Sequence, residues 1–383
     1  MTMTPARLVA LAALAGALGA APASAAEDVI KIGALMSVTG PAAFLGAPEA
    51  RTLEMLAEQL NAKGGVAGRR VQLIVKDTGG SPEKALSFAK QLIEEEQVFA
   101  IIGPPTSGET MQVKAVAEQA KVPLLSCAAA EAIVNPVAKY VFKTAQKDSH
   151  AIAHVFAQMK KMGATKIGVL SSNTGFGKAG KELIARLAPE HGITIVVDET
   201  YDKAATDLTA EVTKLKAAGV QALLNWSIEP AQSIVIKNAR QIGLAVPIFQ
   251  SHGFANINYV KGAGAAAEGV IFPASAIIVA DSLPAKHPQR QLLLEYKKAY
   301  ESRFKEDASA FGAYAYDAFG LLVKAIQARG PDRERVRDAL EATKGWVGAS
   351  GVFNLSAADH NGLGMDAFEM CTVKNGKFVL LGK

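Results

Sequence analysis

Short apolar runs alternate with amphipathic stretches along almost the whole chain, and this alternation constrains the fold more than any other feature. Residues 29–36 predict a strand, and the segment 48–63 places Leu53, Leu56 and Leu60 at helical spacing. Further pairs of a predicted strand and a predicted helix follow up to the C-terminus. Repeated strand–helix–strand units predict parallel sheets with helices covering both faces. We therefore predict an α/β fold.

The series of units starts again at about residue 147, which predicts two similar lobes. A chain of 383 residues is also longer than one hydrophobic core usually organises. We expect two Rossmann-like lobes with parallel sheets, joined by several chain crossings that form a hinge. Lobe 1 should comprise 27–146 plus about 275–365, and lobe 2 should comprise 147–274 plus about 366–383.

The N-terminus has the pattern of a secretory signal peptide. Arg7 precedes a nearly unbroken apolar stretch at 8–21, and the small residues 23–26 suit cleavage. This stretch is too short for a stable membrane span, and no later segment is apolar for long enough. We expect residues 1–26 to be removed and the mature chain to lie in the periplasm without spanning a membrane.

Composition excludes several classes of protein. Half of the residues are hydrophobic and a fifth are charged, which is typical of compact domains rather than disorder. The net charge of +5 is spread along the chain without a basic run, so we expect no nucleic acid partner. Cys127 and Cys371 lie far apart, and we expect two free, buried thiols.

Two loops of the first half are candidates for anion binding, because ligands bind beyond the carboxyl ends of parallel strands. Residues 104–108 lead from a buried strand into a helix, where Thr106, Ser107 and backbone amides can hold a carboxylate. An ordinary helix cap is the alternative. The small residues of 126–130 either expose amides to an anion or simply pack closely.

Candidate ligand contacts in the second half are Phe176, Trp226, Ser227, Ile228 and His252, which lie at or near strand ends. Aromatic faces at such positions can stack on a ligand. For Trp226 a core position is the alternative.

The sequence gives little support for a dinucleotide site or a metal site. Residues 175–180 contain a G-x-G-x-x-G pattern, but four polar residues separate it from the strand, unlike a dinucleotide fingerprint. His150 and His154 share a helix face without a third metal ligand. We expect no enzyme activity, no cofactor and no metal.

Together, five motifs resemble the type I periplasmic binding proteins of branched-chain amino acid ABC importers, the Leu/Ile/Val-binding proteins. The motifs cover residues 31–41, 60–68, 102–103, 175–177 and 239–244. The resemblance spans the mature chain and implies a monomer that closes on a small ligand and delivers it to membrane permease subunits. A receptor that feeds a membrane kinase is an alternative role.

The resemblance also implies which residues bind the ligand. In this family a loop serine and the following strand-end loop meet the ligand carboxylate, which matches Ser107 and Ala128, with Ala129 beside them. Ala130 replaces a residue that often carries a binding hydroxyl. The aromatic positions of the family correspond to Leu45 (next to Phe44), Phe176, Ile228 and Phe311.

His252 is the main departure from the family. Amino acid binders have an acid there that pairs with the ligand ammonium, and a buried ammonium without its anion is costly. A histidine can instead meet a hydroxyl, a keto group or a second carboxylate. The motifs 251–253 and 359–362 also resemble the aromatic-acid-binding branch. We expect an aromatic or hydrophobic acid, with branched-chain amino acids as the alternative.

Overall fold

The structure is a computed structural model that describes residues 29–382, so the expected signal segment 1–26 lies outside the described residues. The strands are β1 (Val29–Met36), β2 (Arg70–Asp77), β3 (Ala100–Ile102), β4 (Leu124–Ser126), β5 (Val141–Lys143), β6 (Lys166–Ser172), β7 (Thr194–Tyr201), β8 (Ala222–Trp226), β9 (Ile248–Gln250), β10 (Ile271–Ala274), β11 (Trp346–Val347), β12 (Val352–Phe353), β13 (Glu369–Lys374) and β14 (Lys377–Leu380). The α-helices are α1 (Ala43–Ala62), α2 (Pro82–Glu94), α3 (Ser107–Gln119), α4 (Asp148–Lys161), α5 (Gly175–Leu187), α6 (Thr209–Ala217), α7 (Ala231–Gln241), α8 (Ile257–Ala263), α9 (Arg290–Phe304), α10 (Ala310–Arg329) and α11 (Arg333–Glu341).

The first sheet has the order β2-β1-β3-β4-β5 and is parallel throughout. Alternate side chains of β1 enter two different cores. Ile32 and Ala34 pack on the side of α1, whereas Leu35 packs with Ala89 and Leu92 of α2. Strands buried on both faces are nearly continuously apolar, which explains the short apolar runs in the sequence. We call the part of the chain built on this sheet, with α1–α3 and α9–α11, lobe 1.

The second sheet has the order β14-β13-β10-β9-β8-β6-β7, and with α4–α8 it forms lobe 2. This confirms the predicted α/β fold, but the sheet is not parallel throughout. β13 runs antiparallel to β10 and to β14. The β13–β14 pair is joined by a two-residue turn, where Asn375 and Gly376 have φ values of 52° and 68°. Two left-handed residues of this kind favour a tight antiparallel hairpin.

Helix α1 begins five residues before the predicted start at Pro48, so that prediction is wrong. Proline has no backbone N–H and normally stays in the first turn of a helix. Here the carbonyl of Phe44, four residues before Pro48, accepts a hydrogen bond from the Asn256 side chain at 3.1 Å. A donor from lobe 2 therefore replaces the missing N–H and makes the earlier start possible.

The motif at 359–362 holds a chain crossing between the lobes and lies outside the ligand cavity described below. Asn361 Nδ2 donates to the carbonyls of Lys143 and Ala145 at 3.2 and 2.8 Å. The His360 ring stacks on Phe142 with 4.0 Å between centroids. Asp359 forms an ion pair of 2.8 Å with Lys147, which directly precedes α4. These contacts fix the exit of β5, where the chain leaves lobe 1.

Within residues 29–382, no helix has the length and apolarity that crossing a bilayer requires.

Candidate functional site

A small buried cavity lies where the carboxyl ends of the two sheets' parallel strands face each other. Its volume is about 20 Å³, enough for roughly one water molecule. Both lobes contribute to its lining, which consists of Leu45, Pro105, Ser107, Cys127, Ala129, Phe176, Ile228, His252, Gly253, Phe311 and Tyr314. An organic acid is larger than this space, so the lobes must separate to admit one.

The structure brings together about half of the residues predicted for the site. Those that line the cavity are Leu45, Ser107, Ala129, Phe176, Ile228, His252 and Phe311. Those that do not line it are Phe44, Thr106, Ala128, Ala130, Trp226 and Ser227. Sequence reasoning missed Pro105, Cys127, Gly253 and Tyr314, although the first two belong to loops that it had selected.

Helix α3 presents its N-terminus to the cavity through Ser107. Thr106 caps the helix, because its hydroxyl accepts the Glu109 N–H at 3.3 Å. The N–H groups of Ser107 and Gly108 have no hydrogen-bond acceptor among residues 29–382. Unpaired first-turn amides and the helix dipole favour an anion at this position. Thr106 therefore acts as the cap of α3 and does not line the cavity.

The amides of Ala128 and Ala130 donate hydrogen bonds within the protein, which differs from the role predicted for them. Ala128 N–H donates to the Ser126 hydroxyl at 3.1 Å, and Ala130 N–H donates to the Ser107 hydroxyl at 3.2 Å. Because the Ser107 oxygen accepts from Ala130, its own O–H remains available as a donor. The loop thus orients the serine that faces the cavity.

Lys143 lies fully buried behind this loop and adds a positive charge. Its Nζ donates to the carbonyls of Ala129, Ala145 and Gln146 at 2.8, 2.9 and 2.8 Å. Burial lowers the pKa of Lys143 to about 8. The ammonium therefore stays charged at neutral pH and favours an anionic ligand nearby.

His252 lies on the lobe 2 side of the cavity, surrounded by aromatic rings. Phe176, Trp226 and Phe368 meet it edge-on, with centroid distances of 5.5, 5.7 and 5.5 Å. Burial, together with the Lys143 charge, lowers the pKa of His252 to about 3. The ring is therefore neutral at physiological pH.

Trp226 is a core residue behind the cavity. It is fully buried and stacks on Phe176 at 5.5 Å, so it supports the ring that lines the cavity. A β-carbon on Gly180 would lie 2.0 Å from the Trp226 indole nitrogen. This close packing explains the last glycine of the G-x-G-x-x-G pattern without a nucleotide. Ser227 also points away, and its hydroxyl donates to Glu229 at 2.6 Å.

Phe44 contacts lobe 2 directly and covers the edge of the closed cleft. Its ring meets Tyr259 edge-on at 5.0 Å and lies 6.4 Å from Phe311. Tyr259, which sequence reasoning missed, donates its hydroxyl to the Ile228 carbonyl. Phe44 thus joins the two lobes through an aromatic contact.

Both cysteines are free and buried, as predicted. Cys127 lines the cavity, whereas Cys371 lies inside the second sheet. In the part of the chain that the structure describes, no group of three His, Cys, Asp or Glu side chains is arranged to hold a metal ion.

Residues 29–377 match the family model described as Periplasmic binding protein. The leucine-, isoleucine-, valine-, threonine- and alanine-binding protein of Pseudomonas aeruginosa is 27% identical over 340 residues, which cover 88% of each chain. An extracellular ligand-binding receptor from Rhodopseudomonas palustris HaA2 has a similar structure, with a TM-score of 0.86, 28% identity and coverage of 92% of this chain and 99% of that one. The branched-chain amino acid substrate-binding protein LivJ from Streptococcus pneumoniae, solved in complex with isoleucine, gives a TM-score of 0.80 at 28% identity, covering 91% and 97%.

Proposed function

The chain belongs to the periplasmic binding protein family, and we propose that it captures a small carboxylic acid with an aromatic or other hydrophobic body for an ABC importer. Binding would take place in the periplasm, after export, and the closed protein would then dock on the permease. The family and its relatives are binding proteins, in agreement with the expectation that the chain is not an enzyme.

The carboxylate end of the ligand would face α3. Ser107 offers a free O–H, and the first-turn amides of Ser107 and Gly108 have no other acceptor in the described chain. The buried Lys143 ammonium lies behind the same loop. A carboxylate here would accept charge-assisted hydrogen bonds, which are stronger than those between neutral groups.

The body of the ligand would lie among apolar side chains of both lobes. Leu45 and Phe311 approach from lobe 1, and Phe176 and Ile228 approach from lobe 2. Aromatic and aliphatic surfaces of this kind stabilise a hydrophobic ligand by about 25 cal/mol for each Å² buried.

The neutral, buried state of His252 is the observation that carries the choice of an acid over an amino acid. The resemblance to amino acid binders implies an acidic residue at this position, where it pairs with the ligand ammonium. An imidazole carries no negative charge at physiological pH, and with its pKa at about 3 the His252 ring is neutral. An ammonium that loses its water here without an anion in contact would cost several kcal/mol.

Binding would operate as clamping. The acid first meets lobe 1 through Ser107, and lobe 2 then closes with Phe176 and His252 over the hydrophobic body. A ligand that binds only the folded protein also stabilises it, by about 4 kcal/mol at a thousandfold excess over its dissociation constant.

A branched-chain amino acid is a second candidate, favoured by two buried carboxyl groups near the cavity, although burial raises the pKa of both. The side-chain oxygens of Glu49 and Asp148 have no hydrogen-bond partner among the described residues. Glu49 acts electrostatically on Cys127, which lines the cavity. Neither carboxylate lines the cavity itself, so this candidate needs a larger rearrangement than an acid does.

A thermal-shift and calorimetry screen of the mature protein distinguishes the two candidates. We expect benzoate to raise the melting temperature and to bind, and leucine and isoleucine to do neither. Tight leucine binding without benzoate binding would overturn the proposal.

Two variants test which residues contact each end of the ligand. Ser107→Ala should weaken every carboxylate ligand by about tenfold or more, since hydrogen bonds to charged groups contribute about 1.5–3 kcal/mol. His252→Glu should shift the preference towards amino acids. Ser302→Ala, on the exposed face of α9, is the matched control and should bind like the unsubstituted protein. An unchanged ligand profile in the His252 variant would remove that residue from the site.

A further inference from the structure

Both ring nitrogens of His252 lack a hydrogen-bond partner in the described chain, although the side chain is only 2% exposed. Three aromatic rings surround the imidazole and offer no strong acceptor. The Asp148 Oδ1 lies 3.5 Å from His252 Nε2. Buried polar groups are rarely left without partners, so this arrangement requires an explanation.

Asp148 is the first residue of α4, directly after the chain crosses from lobe 1. Its two oxygens have no hydrogen-bond donor within ordinary range among the described residues, and burial raises the pKa of its carboxyl. The Lys143 charge acts in the opposite direction on that pKa, and Glu131 adds a smaller repulsion. The state of Asp148 therefore depends on the state of Lys143.

The geometry around Lys143 requires an ammonium. Its Nζ donates to three carbonyl oxygens, and a neutral amine would have only two N–H bonds to offer. A fully buried cation needs a counter-charge nearby. Of the acidic groups that act on Lys143, Asp148 has the largest electrostatic effect, followed by Glu131. As a carboxylate, Asp148 can only accept hydrogen bonds.

We propose that Asp148 is a positioning residue that fixes His252 as the tautomer protonated at Nε2, so that Nδ1 accepts a hydrogen bond from a hydroxyl or N–H on the distal end of the ligand. This inference rests on the proposed function, in which Ser107 holds the carboxylate. A carboxylate orients an imidazole in this way whenever it meets one ring nitrogen.

The consequence is a rule for ligand chemistry. A hydroxyl opposite the carboxylate satisfies the buried Nδ1 acceptor. A second carboxylate brings no proton to Nδ1, and a keto group offers only another acceptor. The site should therefore select hydroxy acids over simple acids and reject diacids.

Calorimetry with matched benzoates tests the rule. The probes are benzoate, 3- and 4-hydroxybenzoate, and the corresponding dicarboxylates isophthalate and terephthalate. We expect at least one hydroxybenzoate to bind about tenfold more tightly than benzoate, as one well-formed hydrogen bond predicts. Neither dicarboxylate should bind as tightly as benzoate. Hydroxybenzoates no tighter than benzoate, or a dicarboxylate that is tighter, would overturn the inference.

The Asp148→Leu variant tests the positioning role. It should retain benzoate binding and lose the hydroxyl preference to within about threefold, because Nε2 no longer has an acceptor. Asp366→Leu, in the short helix before β13, removes an exposed acid and should leave the preference unchanged. A variant of Asp148 that keeps the full preference would contradict the role.

The ring tautomer is measurable without any ligand or variant of Asp148. Two-bond ¹H–¹⁵N correlation spectra should show His252 with Nε2 protonated and Nδ1 unprotonated, and His252→Gln identifies its signal among the six histidines. A proton on Nδ1 would overturn the inference while leaving the proposed function intact. If no benzoate binds at all, the proposed function fails, and the tautomer still decides the role of Asp148.

Discussion

The side-chain amide of Asn256 donates a hydrogen bond to the backbone carbonyl of Phe44 at 3.1 Å, and this bond joins the two lobes. Phe44 lies four residues before Pro48, whose missing N–H leaves the carbonyl without its helical partner. Separation of the lobes exposes that carbonyl and the apolar face of the Phe44 ring. The bond therefore contributes to closure of the cleft.

Asn256→Asp should open the cleft without unfolding lobe 2. The substitution keeps the oxygen that caps α8 by accepting the Asn258 N–H at 2.9 Å. It replaces the amide donor by an oxygen that repels the Phe44 carbonyl. We expect the Cys127 thiol of the ligand-free protein to react about five to ten times faster with a thiol reagent, as loss of about 1 kcal/mol predicts. Asn258→Asp is the exposed control, and equal rates in both variants would contradict this account.

Gly175→Ala should weaken ligand binding although it favours the helix. A β-carbon on Gly175 would lie 2.9 Å from the backbone nitrogen of Gly108 in the other lobe. The methyl group therefore prevents full closure, while alanine is at least as compatible as glycine with the first turn of α5. Calorimetry should show at least tenfold weaker binding of the acid that the screen identifies, alongside an unchanged or higher melting temperature. Lys178→Ala, exposed on the same helix, should leave affinity unchanged.

Acid should destabilise the protein through His252. Its pKa of about 3 lies below the ordinary value of 6.5, so between these pH values the unfolded chain binds a proton that the folded protein does not. The free energy of unfolding then falls as pH drops below about 6.5. Between pH 7 and 5 the unsubstituted protein should lose about 1–2 kcal/mol more than His252→Gln in urea unfolding.

Asp148 and Lys143, which face the ring, remain in both proteins of that comparison. The matched control is His191→Gln, which should follow the unsubstituted protein. If the free energy of unfolding changes with pH in the same way for the His252 variant and the unsubstituted protein, the ring is not held neutral.

Ligand should slow the labelling of Cys127 by holding the cleft closed. Cys127 lines the cavity between the lobes, so a reagent reaches it when the cleft opens. Cys371 is 0% exposed within β13, so it reports unfolding of the second sheet. A saturating ligand should slow labelling of Cys127 at least tenfold by holding the cleft closed, as measured by mass spectrometry of digested samples. Labelling of Cys371 then measures the general stabilisation of the folded protein by the ligand. Labelling of Cys127 that is as fast with ligand as without it would contradict closure.

Local signals predicted most of the secondary structure. The bounds of β1 agree with the prediction to the residue, and the helix predicted to follow the loop 104–108 begins at Ser107, capped by Thr106. These elements follow from periodicity and from capping chemistry, which act over a few residues. The predicted start of α1 was wrong because the position of Pro48 inside the helix depends on a hydrogen-bond donor from the other lobe.

The candidate site was less predictable than the fold. Loop position selected Ser107 and His252, which line the cavity between the lobes, since both lie beyond the ends of parallel strands. The predicted donors Ala128 and Ala130 instead orient serines, because hydrogen-bond partners are chosen by tertiary proximity. Tyr314 was missed because it belongs to a largely buried helix, which carries no local signal of a ligand contact.

By itself, the sequence determined the two α/β lobes and the family. Hydrophobic periodicity and turn residues act between residues that are close together in the chain, so the sequence alone shows them. Only the tertiary structure decided that Asp148 faces His252 and that Asn256 completes the helix broken by Pro48. Both pairs join residues far apart in the chain. Their energetics depend on burial, which raises the cost of every unpaired polar group and exists only after the lobes have formed.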